Sequence, residues 1–71
     1  MKKKVLIEGM SCKNCAHHVS EALNEIDGIS NVTVKLEEKY ALLEAESNEL
    51  DEAIKFAVDE AGYEVVGIEA V

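Results

Sequence analysis

The sequence contains no proline, no low-complexity stretch and only two cysteines in 71 residues. Two sulfurs cannot build the disulfide framework of a small secreted scaffold, nor close a four-sulfur zinc site within one molecule. Long apolar runs are absent as well. Behind Met1-Lys-Lys-Lys, a start like the n-region of a secretory signal, the run extends only from Val5 to Ile7 before Glu8 closes it. A secretory h-region needs about 7–15 apolar residues and a membrane span about 18 or more, so a cytoplasmic location is expected. Basic residues are scarce: 7 Lys and Arg stand against 15 Asp and Glu, for a net charge of −8. That sign repels phosphate backbones, which argues against nucleic acid as a partner and for a complementary basic protein surface.

What is present supports one domain over residues 1–71, with 48% apolar residues to form a core. The chain divides into two halves of the same form. Residues 3–9 read as a strand bounded by Gly9, and residues 13–27 as a helix with Ser11 or Cys12 near its N-cap and Gly28 as its stop. Cys15, Ala16, Val19, Ala22, Leu23 and Ile26 share one face of that helix. Ile29 to Leu36 alternates as a second strand, with Val32, Val34 and Leu36 on one side. Glu37-Glu38-Lys39 turns the chain into a third strand from Tyr40 to Ala45. Asn48 or Ser47 can cap a second helix through Ala61, with Glu49, Asp51 and Glu52 in its first turn, where the macrodipole favours acids. Leu50, Ala53, Ile54, Ala57, Val58 and Ala61 form its inward stripe, Gly62 stops it, and Val65 to Ala70 is the last strand. The order βαββαβ predicts a ferredoxin-like α+β sandwich, two helices on one face of a four-stranded antiparallel sheet.

Both sulfurs lie in Gly9-Met10-Ser11-Cys12-Lys13-Asn14-Cys15, where the first strand ends and the first helix begins. Sulfurs so spaced can converge on one soft metal ion or form a redox disulfide. At a helix N-terminus the unpaired amides and dipole favour thiolate, which is expected to lower the pKa of either sulfur. Thiolates select monovalent copper, zinc and related ions. Of these, monovalent copper accepts two ligands more readily than zinc does. Redox catalysis of the thioredoxin type fits less well, because that fold needs a longer chain and a different strand order.

This stretch resembles the Gly-Met-x-Cys-x-x-Cys signature of the heavy-metal-associated domain, the family of small copper chaperones and of N-terminal modules of copper-transporting P-type ATPases. The similarity extends through Asp27-Gly28-Ile29, Val32, Val34 and Ala61-Gly62-Tyr63. The resemblance implies that Cys12 and Cys15 bind monovalent copper and hand it to a similar partner domain, such as that of a copper-transporting ATPase, by thiolate exchange. It implies no enzyme. The start at Met1 and the end just past the fourth strand favour a free chaperone over an excised ATPase module. A zinc or mercury carrier, and from another class a thiol oxidoreductase, are the competing readings.

Several neighbours admit two roles. Met10 offers a thioether, but the resemblance assigns it to the core as an anchor of the loop. Tyr63 stands at the position that faces the metal loop in the family, where tyrosine resembles the bacterial chaperones, and its hydroxyl is expected to support the metal ligands rather than only to pack. His17 is expected in solvent, opposite Cys15, whereas His18 lies one turn along and is a candidate third ligand or dimer contact. Ser11 stands where zinc- and lead-exporting relatives often carry an acid, which favours copper. Phe56 falls on the outer side of the second helix, and Leu6, Tyr40, Leu42, Val66 and Ile68 share the parity of the open sheet face. Such residues are either scattered surface apolars or a contact patch.

Overall fold

The computed structural model describes residues 1–71. Strand β1 spans Lys2–Glu8, helix α1 Lys13–Asn24, β2 Ile29–Lys35, β3 Tyr40–Ala45, helix α2 Asp51–Glu60 and β4 Glu64–Ala70. The sheet order is β2-β3-β1-β4, with every pairing antiparallel. The two helices cover one face. This is the ferredoxin-like βαββαβ arrangement expected from the alternation of strand and helix periods. None of the helices is long and apolar enough to cross a membrane.

Strand period explains the core. In β1 the odd positions Lys3, Val5 and Ile7 are buried, while Leu6 and the other even positions face away from the helices. Ala41, Leu43 and Ala45 continue the buried layer on β3, and Val19, Leu23, Ile54 and Val58 close it from the helices. Complete burial of a side chain such as Leu23 or Ile54 contributes about 1.5–3 kcal/mol.

Strict alternation fails at two places, and each failure is a bulge. In β4, Leu6 pairs with Gly67 but Ile7 pairs with Val65, so Val66 is an extra residue. It stands 56% exposed. Beyond it the parity is reversed. Ile68 therefore pairs with Val5 and packs against the core, which corrects its expected place on the open face. In β2 the register slips between Ser30 and Thr33, where Asn31 adopts φ +53°. That slip lets Ile29 and Val32 both pack inward although they are three residues apart. On the open face Leu6, Tyr40 and Leu42 remain, but only half-buried. Leu6 lies over Gly67, where a Cβ would come within 3.2 Å of its Cδ1, and Lys4 Nζ stands 4.5 Å from the Tyr40 ring centroid. The face thus covers part of its own apolar surface.

The helix ends also differ from expectation. The α-helical pattern of α1 stops at Asn24 rather than residue 27, because its last turn tightens: the Ile26 amide donates to the Leu23 carbonyl. Gly28, at φ +93°, then turns the chain beneath Leu50, whose Cδ1 would lie 3.0 Å from an added Cβ. Residues Asn48–Leu50 form a 3₁₀ turn before α2, and neither Ser47 nor Leu50 makes a side-chain cap.

Lys3 is the one buried charged residue. Its Nζ reaches Asp51 Oδ1 at 2.8 Å, tying the central strand to the first residue of α2, where an anion also suits the dipole. The lysine side chain is 5% exposed and the aspartate 37%. Removing the carboxylate strands a buried ammonium. Asp51→Asn is therefore expected to cost about 1–3 kcal/mol, below the range for fully buried pairs because water reaches this site. Lys3→Met, which removes the buried charge itself, is expected to be neutral or stabilising. Urea midpoints of the two variants check this, and equal losses would show that packing, not charge, holds the junction.

Candidate metal centre

Strand β1 ends at Glu8, and Gly9-Met10-Ser11 carries the chain up to α1. Gly9 adopts φ +100°, and a Cβ there would lie 3.4 Å from Cδ1 of Tyr63. The bare backbone lets the loop lie against the ring. Met10 is 8% exposed and belongs to the core, so its side chain anchors the loop, as expected, and does not reach outward. Cys12 is the N-cap of α1, extended at φ −153° and ψ 170° and without a side-chain cap bond. Its carbonyl accepts the first helical bond from the Ala16 amide at 3.2 Å. The amides of the first helical turn are left without carbonyl partners at the end where the sulfurs stand.

The two thiols are reduced, with Cys12 exposed and Cys15 half-buried. Their Sγ atoms lie 3.3 Å apart, and Ser11 Oγ lies 4.0 Å from Cys15 Sγ. Cys15 is poised as a thiolate: its pKa falls from 9.0 to about 6. The largest cause is the Tyr63 hydroxyl, followed by the Ser11 amide, the Cys12 thiol and the Cys12 amide, with partial burial opposing them. The nearby sulfur in turn raises the Tyr63 phenol, which keeps its proton on oxygen. The sequence suggested a helix-terminus effect. In the fold, a hydroxyl from the far end of the chain contributes most, and the loop and cap amides act beneath it.

The histidines do not converge on the two sulfurs within the chain. His17 pairs with Glu21 one turn along and is 70% exposed, as expected of the solvated face. His18 is exposed and does not join the sulfurs, and no group of three or more His, Cys, Asp and Glu side chains converges as a metal cluster. The candidate centre therefore offers two sulfurs, one of them exposed to solvent. Such a site can hold a thiophilic ion at low coordination number and admit a further ligand from outside. The part of Gly9 was the functional feature least visible in sequence. Its signal was the glycine that opens the motif, whose place the approach of Tyr63 explains.

Set against known proteins, residues 4–64 match the model of the heavy-metal-associated domain. The copper chaperone CopZ of Staphylococcus epidermidis is 36% identical over 64 residues, 89% of this chain and 94% of that protein. A solved CopZ metallochaperone superposes with a TM-score of 0.83 at 33% identity, covering 93% of this chain and 100% of its own. The N-terminal domain of a potential copper-translocating P-type ATPase from Bacillus subtilis, solved in its Cu(I)-loaded state, gives 0.81 at 32% identity, covering 99% and 91%.

Proposed function

Because the chain belongs to the heavy-metal-associated domain family, we propose that residues 1–71 form one carrier domain in which Cys12 and Cys15 hold monovalent copper as cargo. The observation that carries this reading is the pair of sulfurs 3.3 Å apart at an exposed strand–helix junction, one of them already inclined to ionise. The CopZ relatives and the ATPase domain are all named for copper. Zinc is disfavoured by the two-sulfur donor set, since it takes four ligands in structural sites. The family is one of metal carriers rather than enzymes, and the chain delivers its ion unchanged.

Binding needs a small rearrangement. With metal–sulfur bonds of about 2.3 Å, as for a zinc thiolate, linear coordination places the sulfurs about 4.6 Å apart. Cys12, exposed on the loop, is free to swing outward while Cys15 stays with Tyr63. Two-coordinate copper leaves room for a third sulfur. An incoming partner thiolate binds first, then one resident sulfur leaves and takes a proton, so the ion is never free. The partner is the metal-binding domain of a copper-transporting P-type ATPase or a similar module in the cytoplasm, and copper-bridged pairs of this chain form by the same exchange.

The charge of −8 makes the encounter depend on salt. Copper transfer to a basic acceptor domain is expected to slow severalfold as salt rises from about 0.01 M to 0.5 M, over which the Debye length falls from about 30 Å to below 10 Å. Stopped-flow transfer measurements check this. Copper-loaded protein that gives up no metal to any thiol acceptor would be a store rather than a carrier.

A further inference from the structure

Outside the metal loop, the side chain least explained by folding is Phe56. It is 67% exposed on α2, a large apolar group that contributes little to the core. Glu52, Lys55, Phe56 and Asp59 follow at i, i+3, i+4 and i+7, so they form one stripe along the helix. With Glu64 and Val65 at the start of edge strand β4, this stripe lines a shallow groove of about 310 Å³. Asp59 and Glu64 also line a second hollow with Glu8, Gly9 and Tyr63. The two depressions are therefore neighbours, and their shared acidic walls, Asp59 and Glu64, lie between the metal loop and Phe56.

We infer that this α2–β4 groove is a docking surface for the copper acceptor, receiving an apolar side chain flanked by Lys or Arg. This rests on the copper-carrier reading and adds to it a place and a chemistry for the partner. Charge decides the occupant. The rim presents three carboxylates, those of Glu52, Asp59 and Glu64, against one lysine, Lys55. A second copy would bring the same excess of negative charge to the contact, whereas a basic segment neutralises it. An exposed aromatic ringed by charge has the anatomy of an interface anchor: the apolar centre supplies affinity and the rim supplies orientation and rate. The neighbouring hollow beside Gly9 and Tyr63 brings the docking surface up to the metal loop.

The test uses the copper-loaded full chain and, as acceptor probe, the N-terminal domain of the Bacillus subtilis ATPase. Phe56 is exposed, so Phe56→Ser is expected to melt and bind copper as the parent does, yet to transfer copper about tenfold more slowly. Glu52→Lys with Asp59→Lys is expected to slow transfer comparably and to flatten its dependence on salt. Equal transfer rates for parent and Phe56→Ser, with copper bound normally in both, would overturn the docking surface and leave the carrier reading standing. A parent that binds no copper would overturn both. Sedimentation covers the other occupant: a parent dimer that Phe56→Ser dissociates would assign the groove to a second copy and contradict the inference.

Discussion

Cys15→Ser protein is expected to lose roughly a hundredfold to a thousandfold in affinity for monovalent copper while keeping its fold. A four-ligand zinc site supplies about 10–16 kcal/mol in apparent binding, or about 2.5–4 kcal/mol per ligand, and each step of about 1.4 kcal/mol is tenfold. Serine offers a hard, protonated hydroxyl in place of a soft thiolate. Cys15 packs against the edge of the core but is not part of its buried set, and Cys12 is exposed, so neither change opens a large cavity. The circular dichroism melt should barely move. Cys12→Ser should match it in binding, since two-coordinate copper needs both sulfurs. Retained tight binding in either variant would contradict a two-thiolate site, and an unfolded variant would contradict the place given to the loop.

Copper affinity is expected to be insensitive to Cys15 protonation above about pH 6 and to fall steeply below it. Protons compete with the metal for sulfur, and the pKa of about 6 sets where that competition begins for Cys15. The Tyr63 hydroxyl is the largest cause of the shift, so Tyr63→Phe should raise the thiol toward its ordinary 9.0 and weaken copper binding about tenfold at pH 7. Folding stability follows the same sign. The folded value is depressed, so this thiolate's contribution is complete above 9.0, the unfolded value, and is lost as pH falls through about 6. Ultraviolet thiolate absorbance of the apo-protein against pH measures the shift directly. An unchanged Cys15 titration in Tyr63→Phe would show that the tyrosine does not set it.

The architecture was legible because each half of the chain repeats a period-2 run, a period-3.6 run and a glycine stop. Parity counting was blind to insertions. Nothing in Glu64-Val65-Val66-Gly67-Ile68 announces that Val66 is an extra residue, so Ile68 read as open-face although it packs against the core. Asn31 hid a second bulge in the same way, since asparagine tolerates a positive φ without marking it. The start Met1-Lys-Lys-Lys resembled the n-region of a secretory signal, with residue 3 opening the first strand. Lys3 shares the inward parity of Val5 and Ile7, but only the fold supplies Asp51 to receive it. At the metal centre the sulfurs were visible from spacing, because a helix start brings residues three apart together. The order of causes behind the Cys15 shift was not, since it depends on a loop–tyrosine contact that no local pattern encodes.

Everything proposed for this chain turns on two of its sulfurs holding one monovalent copper ion as exchangeable cargo. The decisive measurement is a titration of the reduced protein with monovalent copper against a competing chelator, with native mass spectrometry at each step. One copper per chain is expected, bound ahead of the chelator, with zinc unable to displace it and with copper-bridged pairs appearing as loading nears completion. Binding that fails against the chelator, or zinc held as tightly as copper, would contradict it.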